Sequence, residues 1–439
     1  MVDTCKWNEL RDGDVFILDS SYKDSWAEAI HFWPPRGFML QRKGDKVVFF
    51  PQSPDTGAGY SYYPGSDNSP VLRRFSIGDI PPDVLFKGLR SRQNSCTGSD
   101  PEIFVVRGVA HRTLLPAFKY LPKQEEQAAK FAGGYGAFGE IDSRLPAYAY
   151  RDGFAAECFI HPVRCHGYLI NYLRQGLYAV LVAARNFDRT AQLTIKNTFT
   201  IPAVTMDNAQ EDDIALGCMP SLNAYNDSPE LPLNARDFRL RFAGGHVHFG
   251  IASLAEDTAR NMIRACDVLA AIPAVAIFAS LDTPLRRQFY GRAGEYRKPK
   301  HGLEYRVLSN AWLATPEIAH LILNLVRIGL KVGAAGYLSI LDIEEDAVRN
   351  IINHCDVKAA RQYVKSHLEM FHILLSNDGI YRSTESERAF KQIVEGGIEA
   401  VLPDFQSVET NWRLSGRWDG ESNNNNATWG ALCRRHSGK

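Results

Sequence analysis

Paired cysteines are missing from this 439-residue chain. Its eight cysteines are scattered and none sits in a CxxC pair, which excludes a disulfide framework and predicts reduced thiols in a cytoplasm. Net charge is missing as well, with 50 lysines and arginines against 50 aspartates and glutamates. No global field recruits nucleic acid or an anionic membrane, so any basic site must be local. The longest apolar run, Val268 to Leu281, contains Pro273 and is too short to span a bilayer. The opening MVDTCKWNELRDGD has no apolar signal-peptide core. No Gly-Lys-Ser/Thr follows the glycines of Gly133 to Gly139, so a phosphate-binding P-loop is excluded and only a loop near a ligand is left. The expectation is a soluble cytoplasmic chain with neither nucleic acid nor membrane as partner.

What is present is material for a core: 45% of residues are hydrophobic and 23% charged, the balance of a globular protein of two or three domains. Residues 1–88 read as a small β-rich module. Val15 to Leu18 is a short strand, and Phe38 to Leu40 and Val47 to Phe50 flank a hairpin turn at Lys43-Gly44-Asp45. Pro51 to Pro70 shows too little pattern for an element. Trp26, Phe32 and Trp33 form either the core of this module or an aromatic ligand patch. Residues 89–400 would be the main domain, ending in helices near 316–332, 344–353, 357–375 and 385–394. From 401 to 439 the chain has little core potential and is expected to be a loose tail.

Acids and histidines gather at strand mouths in the main domain. Asp100 and Glu102 precede the apolar run Ile103 to Val106. On one face their repulsion would be relieved by a divalent cation with oxygen ligands; the plainer reading is a turn acid beside a strand-initiating acid. Arg151 to Ile160 is a second acidic strand with Asp152 and Glu157, and a carboxylate in an apolar run must be paired, metal-bound or at an edge. An amphipathic helix should follow from His161 to about Asn186. Cys158, His161, Cys165 and His166 cross that boundary at spacings unlike a zinc ribbon or finger. The loop Gly217 to Asp227, with Asn223 and Tyr225, either contacts substrate or is a plain loop. His246 and His248 alternate on a strand framed by Gly244, Gly245 and Gly250, where a ligand can approach closely.

The densest stretch runs from Leu285 to Leu313. Arg286, Arg287, Arg292, Arg297 and Arg306 fall within 21 residues and end in Glu304-Tyr305-Arg306. Arginine grips oxyanions through two parallel hydrogen bonds, and a carboxylate and guanidinium on one strand face can hold a metal and the phosphate it neutralises. A surface salt-bridge ladder is the alternative. Oxygen ligands with a histidine suit magnesium or manganese better than zinc. The set is equipment for making an acyl phosphate from a carboxylate and ATP, which an amine then displaces.

GSDPEIF, DGFAAECFIHP, GCMPSLNAYND, LRFAGGHVHFG and RRQFYGRAGEYRKPKHGLEYRVLSNAWL occur in this order between about Gly98 and Leu313. In that order they resemble the phage-type COOH–NH2 ligases (phiEco32-like type 2) of the glutamate–cysteine ligase/glutamine synthetase superfamily. The resemblance implies an α+β fold, a curved and mainly antiparallel sheet flanked by helices, with ATP and Mg2+ or Mn2+ on its concave face. It implies Glu102, Glu157, His246 and Glu304 as metal ligands, with Asp100 and Asp152 as further candidates. It assigns His248, Arg297 and Arg306 to ATP phosphates or the acyl phosphate. Arg292, with Arg286 or Arg287, would hold the substrate carboxylate or the moving phosphoryl group. Where glutamine synthetase has Glu-Pro-Glu this chain has Asp100-Pro101-Glu102, the same charge on a shorter arm, and that leaves the number of metals open. The implied partner is an amino acid or short peptide, with a small-molecule or protein amine as acceptor, in the host cytoplasm if the chain is phage-encoded. Oligomeric state is open. Rival readings are a guanidino kinase of the same fold and a phage structural protein that keeps the fold as a binding module.

Overall fold

The computed structural model describes residues 96–108, 112–124, 147–163, 166–214, 221–226, 235–251, 254–377 and 384–414, together with residue 11 and six strand segments ahead of them. Those segments are β1 (Val2–Cys5), β2 (Val15–Leu18), β3 (Leu40–Lys43), β4 (Lys46–Phe49), β5 (Tyr60–Ser61) and β6 (Leu72–Phe75). They form one antiparallel sheet in the order β1-β6-β2-β3-β4-β5. The expected hairpin is there, with Lys43 opposite Lys46. A two-residue strand, β5, does lie in the stretch read as patternless. Trp26, Phe32, Trp33 and Gly133 to Gly139 lie outside the described residues.

The second sheet carries the site. Its strands are β7 (Cys96–Ser99), β8 (Glu102–Arg107), β9 (Thr113–Leu115), β10 (Ala147–Asp152), β11 (Ala155–Val163) and β12 (Gln192–Thr194). A pair apart, β13 (Thr198–Thr200) and β15 (Leu240–Phe242), flanks β14 (Leu222–Asn223) in the chain; then come β16 (Val247–Gly250), β17 (Glu295–Arg297) and β18 (Gly302–Tyr305). The order is β12-β8-β11-β7-β16-β18-β17-β14, with β10 on β11 and β9 on β8. Every pairing is antiparallel. The fold is thus α+β, built on an antiparallel sheet with helices against it.

Proline shapes the middle of this sheet. β7 and β8 both run along β11, with Ser99 opposite Ile160 and Glu102 opposite Glu157. Pro101 lacks an N–H, so the ladder cannot continue through it. Its carbonyl accepts from the Cys158 N–H at 3.1 Å, and the Glu102 N–H turns to the Gly244 carbonyl at 3.0 Å. The strand therefore breaks at Asp100-Pro101, where β16 borders its first half and β12 its second.

The acidic strand read from Arg151 to Ile160 is instead a hairpin, β10–β11, turning at Gly153 with φ +54°. A Cβ there would lie 2.5 Å from the Asp213 carbonyl oxygen, so only glycine fits. β11 continues to Val163, which delays the helix expected from His161. That helix is α1 (His166–Phe187), and its Leu169, Leu173, Leu177 and Val180 are fully buried against the sheet.

Further helices are α2 (Glu256–Cys266), α3 (Pro284–Phe289), α4 (Pro316–Ala334), α5 (Glu345–Asn353), α6 (Val357–Ser366), α7 (Leu368–Asn377) and α8 (Thr384–Gly396). α4 starts where the sequence says it should. The Thr315 hydroxyl accepts from the Ile318 N–H, Pro316 takes the first helical position, and Glu317 sits in the first turn. Gly329 and Gly333 let α4 approach α2 closely. A Cβ at Gly333 would stand 2.3 Å from the Asn261 carbonyl oxygen and 2.4 Å from the Met262 Cα. Gly333→Ala must push two backbones apart, an overpacking that costs about 1–3 kcal/mol. A lowered midpoint in a thermal melt followed by circular dichroism is the expected result.

The tail expectation is corrected up to Leu414. Val401, Phe405, Val408, Trp412 and Leu414 are buried, and the Trp412 indole N–H donates to the Leu313 carbonyl at 2.6 Å. Four of these side chains, Val401, Phe405, Val408 and Trp412, follow the i, i+4, i+7, i+11 spacing of a helix face although only Val408–Asn411 is helical here, and they supply core potential that the sequence reading missed.

Candidate active site

Sheet register assembles the site. Across β7, β16, β18 and β17, Gly98 faces His248, His248 faces Glu304, and Glu304 faces Arg297. Across β8, β11 and β10, Glu102 faces Glu157 and Glu157 faces Tyr150. Residues opposite one another share a face, so the two rows border the break at Asp100-Pro101. Between them lies a cavity of about 570 Å³, within the usual size range of small-molecule pockets.

Asp100 is one of the residues that line it. Its Oδ1 is 2.8 Å from His248 Nε2 and 3.6 Å from His246 Nδ1, and His246 Nδ1 is 3.5 Å from Glu304 Oε1. One donor atom each from Asp100, His246 and Glu304 lies within 4.8 Å of the others. The two longer spacings exceed a hydrogen bond. They fall between the roughly 3 Å that separates adjacent ligands and the roughly 4.2 Å that separates opposite ligands of an ion held at about 2.1 Å. Two carboxylates and an imidazole suit a hard divalent cation, so these residues fit magnesium or manganese.

Arginine closes this side. Arg306, 2% exposed, pairs with Glu304, and Arg297 Nη1 lies 4.0 Å from the same carboxylate oxygen. Glu102 is held by protein donors at both oxygens: the Tyr290 hydroxyl at 3.0 Å and the Gly244 N–H at 2.8 Å. The Tyr290 oxygen is also 2.6 Å from His246 Nε2. Gly244 is what allows this, since a Cβ there would meet His246 Nε2 at 2.5 Å and the Tyr290 oxygen at 2.8 Å.

Electrostatics favour a cation. Burial, then the charge of Asp152, raises Glu102 to about 7. Burial and the charges of Asp100, Asp152 and Glu102 lift Glu157 well above the carboxylate range. Burial raises Asp152 against the pull of Arg306. Burial works on Asp100 too, but the His248 charge and the nearness of both imidazoles overcome it and hold Asp100 low. Burial and Arg306 lower His246 to about 4, leaving its imidazole neutral. Such crowding of carboxylates is relieved by positive charge.

Asp100, Glu102, Asp152, Glu157, His246, Arg297 and Arg306 line the cavity, with His248 and Glu304 directly behind. Four expected substrate residues do not line it. Arg286 and Arg287 are 0% and 1% exposed. Arg286 donates to the carbonyls of Val307 and Leu308 at 3.3 and 2.9 Å. Arg287 donates to those of Gly291 and Val307 and pairs with Asp282 at 2.5 Å. They tie the segment between α3 and the chain after β18, and this replaces the substrate role read from the arginine run. Asn223 donates to the Ala293 carbonyl at 2.8 Å and accepts from the Tyr225 N–H at 2.8 Å. Tyr225 is buried with the Arg264 guanidinium 5.3 Å above its ring. Both stabilise the turn before β17 instead of facing substrate. Arg292 also stands outside the cavity lining.

The opposite wall went unread. Lys123 pairs with Asp212 at 2.6 Å and Arg151 with Asp213 at 2.9 Å, and all four line the cavity with Tyr150 and Gln124. They come from three separate segments without shared pattern; only the Arg151-Asp152-Gly153 turn was a usable signal.

Comparison with known proteins points the same way over part of the chain. The family model described as phage phiEco32-like COOH.NH2 ligase-type 2 matches residues 235–397. That span holds His246, His248, Glu304 and the arginines, and it extends past Leu313 into α8, where the motifs gave nothing to compare. The acids from Asp100 to Glu157 precede it. No curated protein matches the chain. Among solved structures, one described as the crystal structure of a novel glutamine synthase homolog is 13% identical. The match covers 87% of this chain and 86% of that one, with a TM-score of 0.34.

Proposed function

We propose that this chain is an ATP- and magnesium- or manganese-dependent carboxylate–amine ligase that forms an amide through an acyl phosphate. One observation carries the reading: Asp100 and His246, two members of a metal-ligand set that Glu304 completes from behind, line one cavity with Arg297 and Arg306. The match to a ligase-type family over residues 235–397 supports it. A divalent cation on those three residues would neutralise phosphate charge and align the γ-phosphoryl group for in-line attack. Arg297 and Arg306 stabilise the oxygens of that group as charge moves from it. The substrate carboxylate oxygen attacks the γ-phosphorus and ADP leaves. The amine nitrogen then attacks the acyl carbon, phosphate departs, and the nitrogen loses a proton.

An amine arrives as a cation, and the acidic wall receives it. Asp152 and Glu157 attract the ammonium, and Glu157, its proton affinity raised by burial and three neighbouring acids, takes the proton. The substrates in this reading are an amino acid or short peptide and a small-molecule or protein amine, in a cytoplasm. Among the described residues no helix is long and apolar enough to cross a membrane.

A guanidino kinase is the second reading, and one observation favours it. Arg286 and Arg287, which argued for an anionic substrate, are sealed in the core, while Asp100, Glu102, Asp152, Glu157, Asp212 and Asp213 all line the cavity. The deciding experiment incubates the protein with ATP, Mg2+, pooled amino acids and peptides, and hydroxylamine. A hydroxamate that requires ATP, metal and one carboxylate is expected. Phosphorylation of added guanidino compounds without hydroxamate would replace the ligase by the kinase. Failure to bind ATP in calorimetry would sink both.

A further inference from the structure

We infer that Tyr290 is a positioning residue for the metal site: its hydroxyl links Glu102 to His246 and sets which imidazole nitrogen faces the ion. The inference rests on the metal reading above and assigns Tyr290 a role that the sequence motifs did not carry. Tyr290 follows α3, where its N–H donates to the Arg286 carbonyl at 2.8 Å. Its ring lies under two guanidinium groups, Arg286 at 5.1 Å and Arg306 at 5.6 Å. That placement aims the hydroxyl between Glu102 Oε1 and His246 Nε2, at 3.0 and 2.6 Å.

Hydrogen counting gives the consequence. The Tyr290 hydroxyl lies 3.0 Å from Glu102 Oε1 as donor, and a phenol has one hydrogen to give. Tyr290 therefore donates to Glu102, and its oxygen accepts the hydrogen on His246 Nε2. A neutral imidazole with hydrogen on Nε2 has its lone pair on Nδ1, the nitrogen 3.6 Å from Asp100 and 3.5 Å from Glu304. The ion is thus held through Nδ1. Glu102, with both oxygens already accepting from protein donors, acts on the ion through Tyr290 and His246. Outer partners of this kind typically change metal affinity 10–100-fold. Gly244 belongs to the same device, because it donates to Glu102 and leaves room for the Tyr290–His246 contact.

The test compares the full chain with Tyr290→Phe, which keeps the ring beneath both arginines and removes only the hydroxyl. With Co2+ bound, the wild type should show a paramagnetically shifted, exchangeable proton from His246 Nε2. In Tyr290→Phe that proton should broaden into solvent, and Mn2+ affinity by calorimetry should fall 10–100-fold while the protein stays folded with a modestly lowered thermal melt. A retained proton signal and unchanged Mn2+ affinity would overturn the positioning role while leaving the metal site standing. Nitrogen-15 shifts of metal-loaded wild type give an answer even if the variant does not fold, because ligation through Nε2 would overturn it. A wild type that binds neither Co2+ nor Mn2+ would overturn the metal reading, and the role of Tyr290 with it.

Discussion

Glu304→Gln is expected to cut ATP turnover by about a thousandfold, or about 4 kcal/mol of transition-state stabilisation, while the protein remains folded. Glu304 sits at the meeting of three groups: paired with Arg306, 3.5 Å from His246 Nδ1, and 4.0 Å from Arg297. Glutamine keeps the volume and a carbonyl that still accepts from Arg306, so that guanidinium is not left without a hydrogen bond. What disappears is one of two formal negative charges in the triad, and with it most of the attraction for a divalent cation. Metal titration and turnover should fall together, with only a modest drop in melting temperature. A folded Glu304→Gln protein that binds Mn2+ and turns over ATP as the wild type does would remove Glu304 from the metal site and with it the core of the ligase reading.

Much of this site was legible because each strand announced its own chemistry. Asp100 and Glu102, Glu157, His246 and His248, and Glu304 with Arg306 each placed a titratable side chain in or beside a strand where an apolar one is the rule. Register was not legible: nothing local says that His248 faces Glu304 or that Glu102 faces Glu157. Nor could the sequence tell a ligand from the group behind it. Glu102 has the same acidic-strand signature as Asp100, yet its oxygens are engaged by Tyr290 and Gly244, and that difference exists only once 140 to 190 residues of chain have closed. The packed tail at Trp412 escaped for a related reason. Its buried residues Val401, Phe405, Val408 and Trp412 do carry helical spacing, but they are few and sit among polar residues, and the wall they pack on, near Leu313, comes from a distant segment.

The arginine run shows the sharpest divergence, and it leads to the second large effect. A guanidinium is weakly hydrated for a cation and carries five donors, so it can be buried where carbonyls converge. Arg287 is such a case. It donates to the carbonyls of Gly291 and Val307 and to Asp282, whose own carboxylate is 8% exposed. Arg287→Met would fill similar space but leave the Asp282 charge buried beside two carbonyls short of a donor. Breaking a buried pair from one side costs about 3–5 kcal/mol, against a total stability of about 5–15 kcal/mol for a typical native protein. The expected result is a protein that melts many degrees lower, or is recovered largely insoluble. Any folded fraction should retain its substrate KM. The double change Arg287→Met with Asp282→Leu should recover part of the lost stability, because the Asp282 charge leaves with its partner, and only part, because buried Arg286, 4.0 Å from Asp282, then keeps only its carbonyl acceptors. An Arg287→Met protein with wild-type stability and a KM raised at least tenfold would return this arginine to the substrate, contrary to its place in the core.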